Sequence, residues 1–233
     1  MPDLAPADPP RPDPSRADPS PAAAHLAAAH PALATLIARI GPCTFRPTPR
    51  EPYEALIRAI AHQQLHARAA EAILARFIAL VPEPFPEPFP GPFPSAVAVA
   101  GLPDEHLRAC GFSASKVAAI RDIGVRMLDG TVPTAAQAAE LSDAALIERL
   151  VTIRGVGRWT VEMVLISTLG RPDVLPADDF GVREGWRLIN RAGLQLRPRE
   201  LAVIGEAWGP FRSTAAWYLW RAADEGKRIK LPA

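Results

Sequence analysis

The sequence predicts an all-α fold, and three observations support that prediction. Apolar residues recur three and four positions apart, as at Leu33, Leu36 and Ile40, which places them on one face of a helix. Residues that cap or end helices flank such stretches, for example Ser113 before one and Gly130 after it. No stretch sustains the alternation of apolar and polar residues that is typical of a strand.

The helical stretches follow one another along the chain. Pro31 suits the first turn of a helix, where its missing N–H loses no hydrogen bond, and Gly41-Pro42 ends that helix. Thr134 and Ser142 are predicted N-caps of two further helices. The other predicted helices cover residues 51–64, 67–81, 95–100, 104–110, 113–128, 179–192, 197–208 and 210–224.

Two proline-rich segments depart from this pattern. Residues 1–22 consist mainly of Pro, Asp, Ala and Ser and carry too little apolar surface to offset chain entropy, so we expect a disordered tail. Residues 82–94 repeat proline and phenylalanine, and proline removes backbone donors and favours polyproline II. We expect this insert to be a surface loop, with a partner-binding proline motif as the alternative. Residues 23–233 then form one helical unit of two lobes.

The overall composition indicates a globular protein, with 48% hydrophobic and 22% charged residues among 233. A formal net charge of +1 neither requires nor excludes a polyanionic partner. Cys43 and Cys110 lack the spacing of metal ligands, and no apolar run reaches the roughly 18 residues of a membrane span. We therefore expect a reduced, cytoplasmic protein without a membrane partner.

A glycine-rich turn stands between two helical stretches at about 142–169. Gly155 and Gly157 allow the backbone to turn sharply and to present bare N–H groups at the start of the next helix. With Arg158 beside them, these groups suit a phosphate of DNA that is bound without reading its sequence. An ordinary turn between two helices is the alternative.

Two adjacent carboxylates, Asp178 and Asp179, follow Pro176 and precede a predicted helix. The restricted backbone after the proline suits an acid held at the start of a helix, which makes the pair a candidate catalytic group. The alternative is that both residues are helix-capping acids.

These segments resemble the alkylpurine branch of the helix-hairpin-helix DNA glycosylase superfamily, in its compact form without an N-terminal β domain. The resemblance spans about residues 31–225. Its blocks occur in the expected order and are the turn at 61–65, the hairpin at 153–160, the acidic segment at 175–183 and the tryptophan-rich segment at 208–221. It implies two helical lobes around a DNA-binding cleft that holds the active site.

The resemblance also implies roles for individual residues. Asp179 matches the catalytic aspartate, which Asp178 would orient by capping the helix. The residues that match the lining of the base pocket are Trp159, Met163, Phe180 and Trp220, whereas Trp208 and Trp217 are expected to be core. Because Met163 and Phe180 replace tyrosines of the family, we expect a more open pocket with a broader substrate range.

The residues that match DNA-contacting positions lie in the turn and the hairpin. They are Gln63, Gln64, Gly155, Gly157, Arg158 and Thr160. Gln64, with Leu65 beside it, matches the wedge that fills the gap left by a flipped base. His62 and His66 depart from the family pattern there, and the two glutamines could otherwise be polar residues at a helix end.

The resemblance further implies a monovalent cation, Na⁺ or K⁺, bound by the backbone carbonyls of Val151, Ile153 and Val156. No other cofactor is expected, because the cysteine quartet of an iron–sulfur cluster is missing. Trp159 stands where strand-cleaving relatives have a lysine, so we expect no lyase activity. The expected partner is double-stranded DNA that contains alkylated bases such as 3-methyladenine or 7-methylguanine, bound by a monomer in the cytoplasm at the bacterial nucleoid.

Three alternatives remain at this point. A glycosylase for oxidised or deaminated bases would need more protonation of the leaving group, for which no acid is evident. A non-catalytic protein that binds damaged DNA would not depend on Asp179. An adaptor that binds peptides through the Pro-Phe repeat is the third.

Overall fold

The computed structural model describes residues 20–81 and 93–230, and all regular secondary structure in them is helical. The predicted all-α class is therefore confirmed. None of these helices combines the length and apolar composition needed to cross a bilayer. The helices are α1 (Pro21–Ala29), α2 (Pro31–Ile40), α3 (Pro52–His62), α4 (Ala67–Ala79), α5 (Ala96–Gly101), α6 (Asp104–Ala109), α7 (Ala114–Leu128), α8 (Ala135–Ala139), α9 (Asp143–Leu150), α10 (Arg158–Ser167), α11 (Phe180–Ile189), α12 (Pro198–Gly205), a 3-10 turn (Glu206–Trp208) and α13 (Arg212–Lys230).

The first of two compact units combines, among the described residues, 20–45 with 177–230. In it α1 packs on α2, and α11 lies along α13. Trp208 and Trp217 are buried, as the sequence predicts, and the ring of Trp208 lies 5.1 Å from that of Trp186. This contact packs the later part of α11 against the 3-10 turn that precedes α13.

The second unit, residues 46–176, is built around α3. The apolar face of α3, with Leu56, Ile57 and Ile60, is fully buried because α4, α7 and α10 all pack against this helix. Helices α5 and α6 lie on α7, and α9 packs on α10. The C-terminal end of α3, the start of α7 and the hairpin before α10 therefore belong to one packed structure.

The predicted helix starts are set by side-chain caps. Ser113 accepts a hydrogen bond from the backbone N–H of Lys116 at 3.3 Å, and Ser142 caps α9 in the same manner. Thr134 and Gln137 exchange hydrogen bonds between side chain and backbone, which closes a capping box at α8. All three predicted caps are confirmed.

The boundary of the predicted tail is wrong, because Pro21 and Ala22 are the first residues of α1. The hydroxyl of Ser20 caps this helix by accepting a hydrogen bond from the N–H of Ala23. Pro210 also lies outside the helix predicted to begin with it, since α13 starts at Arg212. The predictions for residues 1–19 lie outside the described part of the chain.

The end of the proline-rich insert is not at the surface. Phe93 and Pro94 are buried, and the ring of Phe93 lies 5.6 Å from that of Phe77 and 6.2 Å from that of Tyr53. The guanidinium of Arg58 lies 5.3 Å from the centre of the Phe93 ring. A surface loop is therefore the wrong prediction for these two residues, whereas 82–92 lie outside the described residues.

Candidate active site

Asp179 is held at the start of α11 by two hydrogen bonds to one carboxylate oxygen. Its Oδ1 accepts from the backbone N–H of Val182 at 2.8 Å and from the indole Nε1–H of Trp220 at 2.9 Å. The residue that caps α11 is Asp179 itself, which corrects the prediction that Asp178 does so. The carboxylate therefore has a fixed orientation at the positive end of the helix.

The indole of Trp220 reaches Asp179 across a glycine. A methyl group added at Gly181 would lie 2.9 Å from Cδ1 of Trp220 and 3.1 Å from Oδ1 of Asp179. Both separations are tighter than side chains normally adopt. Nothing in the local sequence marks Gly181, because the residue that requires it is on another helix.

The predicted pocket residues are partly exposed. In the unit that holds Asp179, Phe180 opens α11 with 62% of its surface exposed, and Trp220 on α13 is half-buried. In the other unit, Trp159 is 41% exposed and Met163 is half-buried, four residues further along α10. Spacing of four places these two side chains on one face of α10. That the two pairs line one pocket stays a prediction.

The hairpin between α9 and α10 leaves the start of α10 without a side-chain cap. Gly155 adopts φ of 75°, and a methyl group there would lie 3.0 Å from Cβ of Ala119 on α7. Gly157 is the N-cap residue of α10 and, having no side chain, makes no side-chain cap hydrogen bond. An uncapped helix start with a positive dipole suits an anion.

Arg158 lies at this helix start with 69% of its side chain exposed. Its guanidinium donates to Glu162 Oε1 at 2.9 Å, and the Glu162 side chain is only 4% exposed. The pair anchors one edge of the guanidinium and leaves the rest toward solvent. This position fits the predicted contact with a phosphate.

The two glutamines after α3 have different surroundings. The amide of Gln63 donates to the carbonyl of Gly155 at 3.2 Å and to the hydroxyl of buried Thr160 at 3.3 Å. The side chains of Gln63 and Thr160 therefore link the turn after α3 to the hairpin. Gln64 is exposed and adopts φ of 58°, and Leu65 beside it is also exposed. Of the turn residues, Gln64 and Leu65 have the exposure that a wedge requires.

Two residues on α7 support the turn after α3 and the hairpin, and the sequence alone did not predict this role. The ammonium of Lys116 donates to the carbonyls of Ala61 and Gln63, at 2.9 and 2.8 Å. Burial lowers the pKa of Lys116 below its ordinary value. Asp122 accepts from the backbone N–H of Arg154 in the hairpin at 2.7 Å. Nothing in the local sequence marks either contact.

The predicted cation ligands lie in the hairpin loop. Ile153 and Val156 have buried side chains, and the Ile153 carbonyl accepts from the N–H of Val156 at 3.1 Å, which leaves one lone pair of that carbonyl. Val151 is partly exposed. Among the described residues, no group of His, Cys, Asp or Glu is suited to a metal ion.

The helical fold of the described residues, the glycine hairpin before α10 and the fixed carboxylate at the start of α11 are consistent with the class of helix-hairpin-helix DNA repair proteins. This chain belongs to one family of that class. It is a member of the HhH-GPD superfamily of base excision DNA repair proteins, whose family model matches residues 57–209.

Relatives and solved structures agree with this assignment. The chain is 42% identical over 186 residues to DNA-3-methyladenine glycosylase 1 of Schizosaccharomyces pombe, which covers 78% of each protein. The solved 3-methyladenine DNA glycosylase of that yeast, in complex with abasic DNA, has a TM-score of 0.77 at 40% identity and covers 87% of this chain and 96% of its own. DNA-3-methyladenine glycosidase of Bacillus halodurans has a TM-score of 0.79 at 29% identity, covering 91% and 93%.

Proposed function

We propose that this chain is a monofunctional DNA glycosylase that flips alkylated bases out of duplex DNA and hydrolyses their N-glycosidic bonds. The observation that carries the proposal is the carboxylate of Asp179, fixed at a helix start by Val182 and Trp220. Relatives named for 3-methyladenine support alkylated purines as the substrate class. Its place of action would be the cytoplasm.

The fixed carboxylate suits the charge that develops in this reaction. When the bond between base and sugar breaks, positive charge builds on the deoxyribose, and an oriented anion stabilises that charge without reorganising. Asp179 also orients the attacking water and accepts its proton. Because an alkylated purine is cationic and leaves readily, the reaction needs little general-acid assistance.

The partly exposed aromatic side chains suit a cationic base. Stacking of a cation on an aromatic face contributes roughly 0.5 to 2 kcal/mol per contact. Trp159, Phe180 and Trp220 provide such faces, and Met163 adapts its shape to the bound base. This composition favours alkylated over neutral oxidised bases and gives a broad range of alkylated substrates.

Base flipping requires a group that replaces the extruded nucleotide. Extrusion costs about a few kcal/mol, least for a base whose pairing is already weakened. Gln64 and Leu65 stand exposed at the turn after α3 and would fill the gap. We propose Gln64 as the principal wedge residue.

The hairpin binds the DNA backbone in this proposal. Backbone amides at the start of α10 and the guanidinium of Arg158 would contact a phosphate. Replacing Arg158 with Ala is expected to weaken binding to all duplexes alike and to reduce the slope of log affinity against log salt by about 1. Arg197→Ala is the control. It removes an arginine that lies in the other unit and is paired with Glu200, and it should leave the slope unchanged.

We also propose a monovalent cation at the hairpin carbonyls of Val151, Ile153 and Val156, where it would hold the loop and add positive charge near the phosphate. No strand cleavage is proposed, because the indole of Trp159 cannot form the Schiff base that a lysine forms. The enzyme would thus leave an intact abasic site. Comparing DNA affinity in sodium, potassium and tetramethylammonium salts at equal ionic strength tests the cation.

The decisive experiment measures release of free base from methylated duplex DNA by the wild type and by Asp179→Asn. Asn keeps the shape of the cap but removes the negative charge, so release should be lost while DNA binding remains. Strand breaks should appear only after added alkali. Tight binding of damaged DNA without base release would instead identify a non-catalytic damage-binding protein.

A further inference from the structure

We infer that α7 is a rigid brace between the wedge turn, residues 62–65, and the hairpin, and that Lys116 is the positioning residue that holds the wedge turn on it. The inference rests on the proposed function, because it explains how the wedge acts. All of the contacts that carry it lie within the unit formed by residues 46–176.

Three residues of α7, spaced three apart, contact the two segments in order. Lys116 binds carbonyls at the end of α3, and Ala119 packs beneath Gly155 of the hairpin. Asp122 accepts from the N–H of Arg154 in the same hairpin. Residues three apart are neighbours on a helix surface, so one side of α7 serves both segments.

Lys116 binds the end of α3 immediately before a residue with an unusual backbone conformation. A helix end has backbone carbonyls without partners inside the helix, and the ammonium binds two of them, at Ala61 and Gln63. Gln64 follows directly with φ of 58°, a conformation that non-glycine residues rarely adopt. The turn is closed by the N–H of Leu65, which donates to the carbonyl of His62 at 3.2 Å.

The same turn is also tied to the hairpin. The side chain of Gln63 donates to Gly155 and Thr160, while its carbonyl accepts from Lys116. Gln63 is thus held by α7 and by the hairpin at once. The wedge is thereby kept at a set distance from the phosphate-binding amides, so that binding the backbone also places Gln64 against the base stack.

The test compares base release from two substrates under single-turnover conditions. One carries an alkylated base paired in a duplex, and the other carries the same base unpaired in a bulge. Lys116→Met keeps the aliphatic stem but removes the donors, and it should slow release from the paired substrate about tenfold or more. Release from the bulge should stay within about twofold, because flipping that base is easy. Lys116→Arg, which keeps donors, should recover part of the loss.

The controls separate this inference from the proposed function. Lys227→Met removes an exposed lysine of the other unit and should leave both rates unchanged. A binding assay tests the wedge without any chemistry, because the wedge should favour a duplex with a stable abasic-site analogue over an intact duplex. Lys116→Met should reduce this ratio of affinities. If the wild type releases no base, the proposed function fails and this preference still decides the inference.

Two results would overturn the inference. One is equal slowing on the paired and bulged substrates, which indicates a general loss of chemistry or folding. The other is no change on either substrate. If Lys116→Met does not fold, as judged by thermal unfolding, Gln63→Met removes the hairpin tie from the same turn and is expected to show the same selective loss.

Discussion

The hydrogen bond from Trp220 to Asp179 predicts that the indole N–H, and not only the ring, sets the rate of base release. Trp220→Phe retains an aromatic face and removes the donor that lies 2.9 Å from Oδ1. A hydrogen bond to a charged group contributes about 1.5 to 3 kcal/mol, and partial exposure at Asp179 reduces this to about 1 to 2 kcal/mol. The expected loss of rate is roughly 5- to 30-fold.

Gly181→Ala perturbs the same hydrogen bond from the other side. The added methyl group would lie 2.9 Å from the indole Cδ1, so the indole must move away from Asp179. We expect a loss of similar size. In the double variant the smaller Phe ring gives the methyl group room, and the hydrogen bond is already absent. The double variant should therefore be no slower than the slower single variant.

The assay is single-turnover release of an alkylated base from a duplex, with thermal unfolding measured for every variant. Trp217→Phe is the matched control, because it makes the same replacement three residues earlier on α13, at a buried ring. It should reduce stability and leave the rate unchanged. The reasoning is refuted if Trp220→Phe slows release no more than Trp217→Phe does. It is also refuted if the rate of base release in the double variant falls by the product of the two single-variant factors.

Three further predictions concern stability. Gly155→Ala should lower the free energy of unfolding by more than about 1 kcal/mol in denaturant titrations, because φ is 75° and the methyl group meets a neighbouring helix. Gly157→Ser is the control, because its side chain would meet open space and supply a cap. It should change the free energy of unfolding by less than about 0.5 kcal/mol. Phe93→Ala should cost about 3 to 5 kcal/mol and lower the melting temperature by roughly 6 to 20 °C in calorimetry, whereas Val97→Ala at an exposed site should have little effect. Burial raises the pKa of Tyr218 to about 12, so the folded state keeps a proton that the unfolded state loses near pH 10. Stability should therefore fall between about pH 10 and pH 12, and less steeply in Tyr218→Phe; equal slopes in both proteins would contradict this assignment.

The features that could be predicted from the sequence depend on nearby residues. Ser113, Thr134 and Ser142 cap helices through groups three positions away, so each cap is visible in a short stretch. The hairpin and the acid at 179 were placed by a resemblance that spans several blocks. The helices and their order along the chain follow from the spacing of apolar residues, which is visible within each short stretch.

The features that could not be predicted depend on distant partners. Gln63 contacts Gly155 and Thr160, which follow it in the chain by 92 and 97 positions. Lys116 contacts the carbonyl of Gln63, which precedes it by 53 positions. A lysine in an amphipathic helix is ordinarily solvated, so no local signal distinguishes Lys116 from other lysines. Likewise Gly181 is needed only because Trp220, on another helix, passes over it.

The buried Phe93 has a consequence for how this gene can change in length. In the sequence, Pro-Phe-Pro occurs three times at residues 84–86, 88–90 and 92–94, each separated from the next by one residue. Insertion or deletion of one four-residue unit leaves the same tripeptide at the buried end, beside Phe77 and Tyr53. A variant with one more or one fewer of these units is therefore expected to keep a phenylalanine packed against Phe77 and Tyr53.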